Sequence, residues 1–592
     1  MIYSRTRLIV GSSLLAALVG CGNSAHNTSN SSGGSSSGAA GGSGGTGGTS
    51  GTASGGTSTG AAGTGTLAKS GGAGGTSGAS GMPSSGGTGV TAGSGGTSAP
   101  AGGAGVPGSS AGAGGVSGSG PAASGGSAGA TVTGSLTLTI DPNPNSVISC
   151  FVSWHTDQPA NSVVQFGDTA YEWEISDDTM VTDHKVLVIG MHAMTSYMIK
   201  AISGSASGTG TFMTGMMPAT IPNGTVMIHD TTKTQPGWTL MNVQKGNGTT
   251  NARSDYPPMA VIYDENGLPV WYVIDGTNPD IGGAVSTQLT DKGVLIGPTW
   301  NANLTNGTPP REYDFAGNII WECTYQACLP GGNVTHHAAK LPNGHYVIIE
   351  YVNASGGLQN PVFHELDADS NEVWHLDYAS LVPPPSGSTS DWCHANSITL
   401  DIDKNEVWAN CRWVGLLKTT YTNPTKQWLL QAKYGSKGLG DFAYSPTTSE
   451  FDDSHDPEIH EDDGTILFFD NGGYSQGAVG GDTSMFHSRA VEYTVDETAK
   501  TATLEWEFPG SFAVPDSWYT DKWYTPFWGD ADRQPNGNIL ITGGIRNPSV
   551  ESRVFEVTKA DGKVVWEFRF PPDYGVYRSD RITPPLVHAI TN

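Results

Sequence analysis

The sequence predicts an all-β protein, a six-bladed β-propeller over residues 221–592 preceded by a small β-sandwich at 134–220. Three observations carry this prediction. A strand–turn–strand pattern ending in tryptophan recurs through the second half of the chain. Between its copies runs a second pattern, a Gly, Asn or Asp turn that enters an apolar strand. Helical periodicity is almost absent from the same region.

The first pattern reads YDENGLPVW to Trp271, YDFAGNIIW to Trp321 and LDADSNEVW to Trp374, then KQW at Trp428, VDETAKTATLEW to Trp506 and VTKADGKVVW to Trp566. The intervals are 50, 53, 54, 78 and 60 residues. The second reads TDKGVLIG, LPNGHYVIIE, DKNEVWANC, EDDGTILFFD and QPNGNILITGG. Six copies of about four strands, each of about 50 residues, are the signature of a propeller. The Asx-Gly turns favour tight hairpins, and the recurring tryptophan is expected to pack in the wedge between neighbouring blades.

Upstream, residues 134–220 hold short alternating runs: SLTLTID, ISCFVSWHT, SVVQFGD, KVLVIG and SYMIKAIS. Turn residues separate them, as in a small antiparallel sandwich. The stretch ending at Met194-Thr195-Ser196-Tyr197 resembles the late strands of a fibronectin type III module, so the domain is expected to be fibronectin III-like. Residues 22–133 are nearly all Gly, Ser, Thr and Ala, with Lys69 the only Lys, Arg, Asp or Glu. Such a segment buries too little apolar surface to offset its chain entropy, and a disordered linker is expected.

Residues 1–21 read as a lipoprotein signal peptide. Arg5 and Arg7 precede an apolar stretch, Leu8 to Val19, that is short for a mature membrane span. It ends in Leu18-Val19-Gly20-Cys21, which resembles a bacterial lipobox with Cys21 as the lipid carrier. The expected location is the periplasm or the cell surface, with the outer membrane favoured by Gly22. Export makes disulfides plausible. Cys323 and Cys328 share a short loop, Cys393 and Cys411 flank a hairpin, and Cys150 is left over as a buried thiol. The net charge of −26 argues against nucleic acid as a partner and makes any cationic cluster in a cleft notable. From residue 221 onward neither a GxGxxG fingerprint nor a GxxxxGK[ST] phosphate cradle is present.

Histidines stand out before the second pattern. His336 and His337 precede LPNGHYVIIE, His394 lies in DWCHANSI, and His455 lies in FDDSHDPEIHEDDG. They fall in successive repeats at similar places, so blade symmetry is expected to aim them at one axis. Arg412 closes the strand pair that starts near His394 and is a candidate for the same channel. Asp456, Glu458, Glu461, Asp462 and Asp463 lack EF-hand spacing and read as a solvated turn. No metal ligand set and no cofactor is expected. His345, His364, His375 and His487 read as structural, and Arg489 and Arg581 either line the channel or pair with acidic residues.

Here the chain resembles the bacterial arylsulfotransferases that work without a nucleotide sulfate donor. The matching pieces, in order, are THHAAKLPNG, DWCHANSITLDIDKNEVWANCR, SHDPEIHEDDGTILFFDNG, SRAVEYTVDE, WGDADRQPNGNILITGG and VYRSDRI. The resemblance implies ping-pong transfer of a sulfuryl group from an aryl sulfate to a phenol through a sulfohistidine. By motif the nucleophile falls on His455, with His394, Arg412 and either His336 or His337 beside it; His337 is the preferred member of that pair. The chain departs from the family pattern at Cys393, where an aromatic is usual, and at Ser454, where an amide is common. The residue types suit the chemistry. A neutral imidazole can attack sulfur, a guanidinium can hold the charged oxygens, and another histidine can give and recover the phenol's proton. Two other classes compete: a non-catalytic surface propeller that binds glycans or proteins, and a quinone-dependent dehydrogenase, whose calcium-linked site and regular Trp/Gly repeats the sequence lacks.

Overall fold

The computed structural model describes residues 132–584, apart from 247–255, 277–285, 299–307, 330–331, 389, 434–437, 474–486, 527 and 545–548. The expected signal peptide, and the linker up to residue 131, lie outside the described residues.

The first domain is built on one long hairpin. Cys150–Gly167 pairs with Trp173–Val188 along most of its length, with register shifts between His155 and Ser162. The sequence suggests two strands here, ISCFVSWHT and SVVQFGD; the structure joins them into one bent strand of 18 residues. Thr139–Pro142 flanks its first half, and Ser196–Ser203 flanks its second half before pairing with Ala206–Met213. A core of Val152, Val164, Phe166, Val186 and Ile199 fills the interior. The domain sits on the turns of the first two propeller sheets. Asn143 donates to the Ala316 carbonyl at 3.1 Å, His192 meets Asp264 at 3.0 Å, and Trp173 packs edge-on against Trp238.

Beyond it, the described residues form six sheets in a ring, antiparallel except where Ala443–Ser445 runs parallel to Thr501–Phe508 at the edge of the fifth. Their innermost strands are, in sheet order, Tyr574–Ile582, Thr287–Leu289, Val334–Lys340, Ala395–Asp401, Ser454–His460 and Asp530–Arg533. Each touches the next, and the last touches the first, so a propeller axis is defined. The ring closes twice. The C-terminal strand Tyr574–Ile582 is the innermost strand of sheet 1, paired with Trp238–Lys245. Thr225–His229, from the start of the propeller, adds to the outer edge of sheet 6 beside Val564–Arg569.

The repeated tryptophans serve as clasps. Each lies on the fourth strand of its sheet and reaches the turn between the third and fourth strands of the next. Trp271 donates its indole N–H to the Phe315 carbonyl at 2.9 Å, Trp321 to Ala368 at 3.1 Å, Trp374 to Tyr421 at 2.9 Å and Trp506 to Lys559 at 3.0 Å. Trp428 holds the same place on its strand, buried edge-on against Phe442, and among the described residues its indole N–H has no hydrogen-bond partner. Trp566 completes the circle at the Glu265 carbonyl, 3.2 Å away. The acceptor turns are rigid because Asx side chains lock them: Asp264 accepts from the backbone N–H of Leu268, Asp314 from Asn318 and Asp367 from Asn371, each at 2.8 Å. Five of the six repeated indole N–H groups are thereby satisfied.

Candidate active site

Four of the six innermost strands lose register at the same level. The shifts fall between Thr335 and Ala338, Ala395 and Ser397, His455 and Glu458, and Val576 and Ser579. A bulge leaves residues unpaired and breaks the strict alternation of side chains, so neighbours can both turn toward the axis. The unpaired residues are His336-His337, Asn396, Asp456-Pro457 and Tyr577-Arg578. His336 (φ 65°), His394 (φ 55°) and Asp456 (φ 45°) adopt left-handed backbone, a strained state that clusters at functional sites.

Each bulge is locked locally. Asp391 accepts from the backbone N–H of His394 at 3.0 Å and holds Nδ1 of the same ring with its other oxygen. The Cys393–Cys411 disulfide ties this turn to the end of the next strand, as the sequence suggests for this pair and for Cys323–Cys328. The backbone N–H of Arg412 donates to the His394 carbonyl at 3.1 Å, and Trp413 stacks on the His394 ring. Cys393 therefore carries a cross-link in place of an aromatic. Ser454, at the second departure from the family pattern, donates its hydroxyl to Asn410 Oδ1 at 2.9 Å, and Asn410 and Asn396 both donate to the Ser454 carbonyl. Cys150 is the free, buried thiol.

His336 and His394 meet through their Nε2 atoms at 3.3 Å. Asp391 takes the Nδ1–H of His394, so His394 Nε2 accepts and His336 Nε2 donates; His336 Nδ1 then accepts from the Thr335 hydroxyl. The pair thus holds one proton between the rings. His455 Nδ1 rests on Asn471 Oδ1, whose amide nitrogen donates to the carbonyls of Thr525 at 2.7 Å and Trp528 at 2.6 Å. These fixed carbonyl acceptors orient the amide so that its oxygen faces Nδ1. His455 is held as the Nδ1–H tautomer, leaving the Nε2 lone pair free to react.

The sequence prefers His337, but of the two neighbours it is His336 that meets His394. His337 is fully buried beside Arg578 and the Ile398 backbone. Arg578 is the cation that sequence reasoning missed. It lies in VYRSDRI, where the sequence offers Arg581 either to the channel or to an acidic partner; the bulge at 576–579 shifts the parity and turns Arg578 inward. Arg581 instead pairs with Glu556 at 3.3 Å, and Arg489 with Asp470 at 2.9 Å. The acidic run divides: Asp456 is buried on the inner strand and paired with Arg578, whereas Asp462 and Asp463 stay exposed on the turn. His345 pairs with Glu365, while His364 and His375 pair with Glu372, which fits structural roles.

Arg412 and Arg578 are both fully buried in a chain with a large negative charge. Arg412 lies 3.3 Å from Asp453 and also donates to the Pro526 carbonyl. Burial pushes the His455 imidazole well below its ordinary basicity, and the positive fields of Arg412 and Arg578 add to the effect. Burial, then His394 and Arg412, lowers His336 in the same way. Burial likewise lowers the Arg578 guanidinium. Tyr577 and Trp528 pack beside His455. A cavity of about 460 Å³ opens along the inner strands of sheets 3 and 4, lined by Leu341, Ile398, Asp401 and Trp408.

A ring of sheets with three histidines and two arginines gathered at its axis is an enzyme-like propeller. The arylsulfotransferase (ASST) family model matches residues 223–578, and the chain belongs to that family. It is therefore an arylsulfotransferase in the general sense. No curated protein matches the chain. Among solved structures, it is similar to a 6-phosphogluconolactonase-like protein from Bacteroides uniformis at 10% identity, covering 72% of this chain and 100% of that one with a TM-score of 0.32. It is also similar to a periplasmic gluconolactonase from Pseudomonas aeruginosa at 9% identity, covering 59% and 100%, with a TM-score of 0.31. A third is the Cps50 (Swd1) β-propeller domain of Myceliophteria thermophila at 12% identity, covering 57% and 89%, with a TM-score of 0.29. Likenesses this distant carry no functional argument.

Proposed function

We propose that this protein moves a sulfuryl group from an aryl sulfate to a phenol in two steps through a sulfohistidine on His455, with no nucleotide donor. The observation that supports this most is the tautomer of His455: Asn471 fixes the proton on Nδ1, so Nε2 presents its lone pair inside a cationic, water-poor centre.

In the first step His455 Nε2 attacks sulfur, the N–S bond forms and the aryl O–S bond breaks. The departing phenolate takes a proton from the His336–His394 pair in its imidazolium form, whose charge Asp391 balances, so that both rings are left neutral; their Nε2 atoms are 3.3 Å apart. In the second step an acceptor phenol returns its proton to that pair, its oxygen attacks sulfur, and the N–S bond breaks to restore His455. Arg412 and Arg578 carry fixed positive charge beside the sulfuryl oxygens, as in phosphoryl transfer, where positioning and charge supply most of the catalysis.

Export and lipid anchoring at Cys21 belong to the same proposal. They are supported by the apolar stretch ending in Leu-Val-Gly-Cys and by two disulfides, which persist in oxidising compartments. Mass spectrometry of the mature N-terminus would find an acyl chain on Cys21, and an unmodified chain would remove the anchor from the proposal. The activity test is incubation with 4-nitrophenyl sulfate and phenol. Nitrophenolate release that depends on the phenol supports transfer. Absence of release with several phenols favours the glycan- or protein-binding propeller instead.

A further inference from the structure

The inner strands of sheets 5 and 6 carry carboxylates that the transfer chemistry does not use. Asp456 lies on the bulge of sheet 5, while Asp530 and Asp532 share one face of the innermost strand of sheet 6. One carboxylate oxygen from each lies within 4.8 Å of the others. Asp456 is 3% exposed and Asp530 is 1% exposed. Asp530 Oδ1 accepts from the Ala531 backbone N–H at 2.9 Å and the Ser579 backbone also lies against this carboxyl, but among the described residues the buried Oδ2 has no hydrogen-bond partner, nor has Oδ2 of Asp532. Buried carboxylate oxygens left without donors are costly, and native interiors rarely keep them.

Arg578 pairs with Asp456. Asp580 and Glu458 add further negative field around Asp530 and Asp532.

We propose that Asp456, Asp530 and Asp532 bind one hard divalent cation, calcium, beside the propeller axis. The donor set is all oxygen, which selects against zinc and copper. Calcium–oxygen distances are about 2.3–2.6 Å, so ligands on opposite sides of one ion sit about 5 Å apart, and the observed spread fits a single shell. The ligands come from two neighbouring sheets, so the ion would pin their inner strands together and hold the bulge that carries His455. Its role is structural, and it stands independently of the sulfuryl-transfer proposal.

The test uses the full chain, stripped with chelator, and reads metal content and melting rather than turnover. After dialysis against calcium and desalting, elemental analysis should find about one calcium per chain. Calcium in excess should raise Tm on the order of 3 °C over the chelated protein, and magnesium at the same concentration should raise it less. Asp530→Asn, with unchanged circular dichroism, should lose both the bound calcium and the shift. Should that variant fail to fold, Asp532→Asn makes the same comparison. A wild-type chain that retains no calcium and melts at one temperature with and without it overturns the proposal. So does a variant that binds calcium as the wild type does, or a larger response to magnesium than to calcium.

Discussion

The carboxamide oxygen of Asn471 lies on Nδ1 of His455, while the amide nitrogen of the same side chain bonds the carbonyls of Thr525 and Trp528. Asn471 thus cannot flip without losing two hydrogen bonds. Replacing Asn471 with Ala is expected to lower kcat by roughly 10–100-fold with little change in KM, the usual cost of losing an orienting partner. Replacing His455 with Ala removes the nucleophile and should abolish acceptor-dependent release. Steady-state kinetics with 4-nitrophenyl sulfate check both, and a His455→Ala enzyme with full turnover would overturn the nucleophile assignment.

His394 is held by Asp391 on one side and meets His336 on the other. Asp391→Asn removes the carboxylate that orients the shared proton. Its effect should grow with the basicity of the leaving phenol, because a poorer leaving group depends more on protonation. Rates measured across a series of aryl sulfates should show a steeper dependence on phenol pKa in the variant than in the wild type. Parallel dependences would mean that the pair does not deliver the proton.

Acid should weaken the fold through the buried imidazoles. His336, His337 and His455 are all held well below the ordinary histidine value of 6.5, chiefly by burial. Below that pH the unfolded chain takes up protons that the native state refuses, so stability falls as pH drops beneath about 6.5. Three such groups give a slope of up to about 4 kcal/mol per pH unit. Tm recorded between pH 7.5 and pH 4.5 should decline over that window, less steeply in His337→Phe if the variant folds. Activity should hold to lower pH than a free histidine would allow, because His455 stays neutral.

The clasp between the last and first sheets is testable alone. Trp566 donates to the Glu265 carbonyl, and a Phe there keeps most of the apolar packing while removing the donor. Trp566→Phe should cost about 1 kcal/mol and lower Tm by about 2 °C, with kcat unchanged. A calorimetric scan settles the size of the effect.

The propeller class was legible because its signal is repetitive. Each Trp follows an Asx-locked turn, and both the turn and the clasp need those residue types. The gathering of His394, Arg412 and His455 followed from their common place in the repeat. What the sequence concealed was parity. A strand without a bulge turns alternate residues inward, so neither the choice between His336 and His337 nor that between Arg578 and Arg581 can be made without knowing where the ladder slips. The same slip buries Asp456, which otherwise reads as the first residue of an acidic surface turn.

The closing strand Tyr574–Ile582 brings Arg578 and Tyr577 to the axis as the innermost member of sheet 1. The centre is therefore completed by a segment made after the other five innermost strands. A partly synthesised or C-terminally clipped molecule has its histidines but lacks one of its two guanidiniums, and its ring stands open beside Trp238–Lys245. Competence for chemistry and completion of the ring arrive in a single docking event.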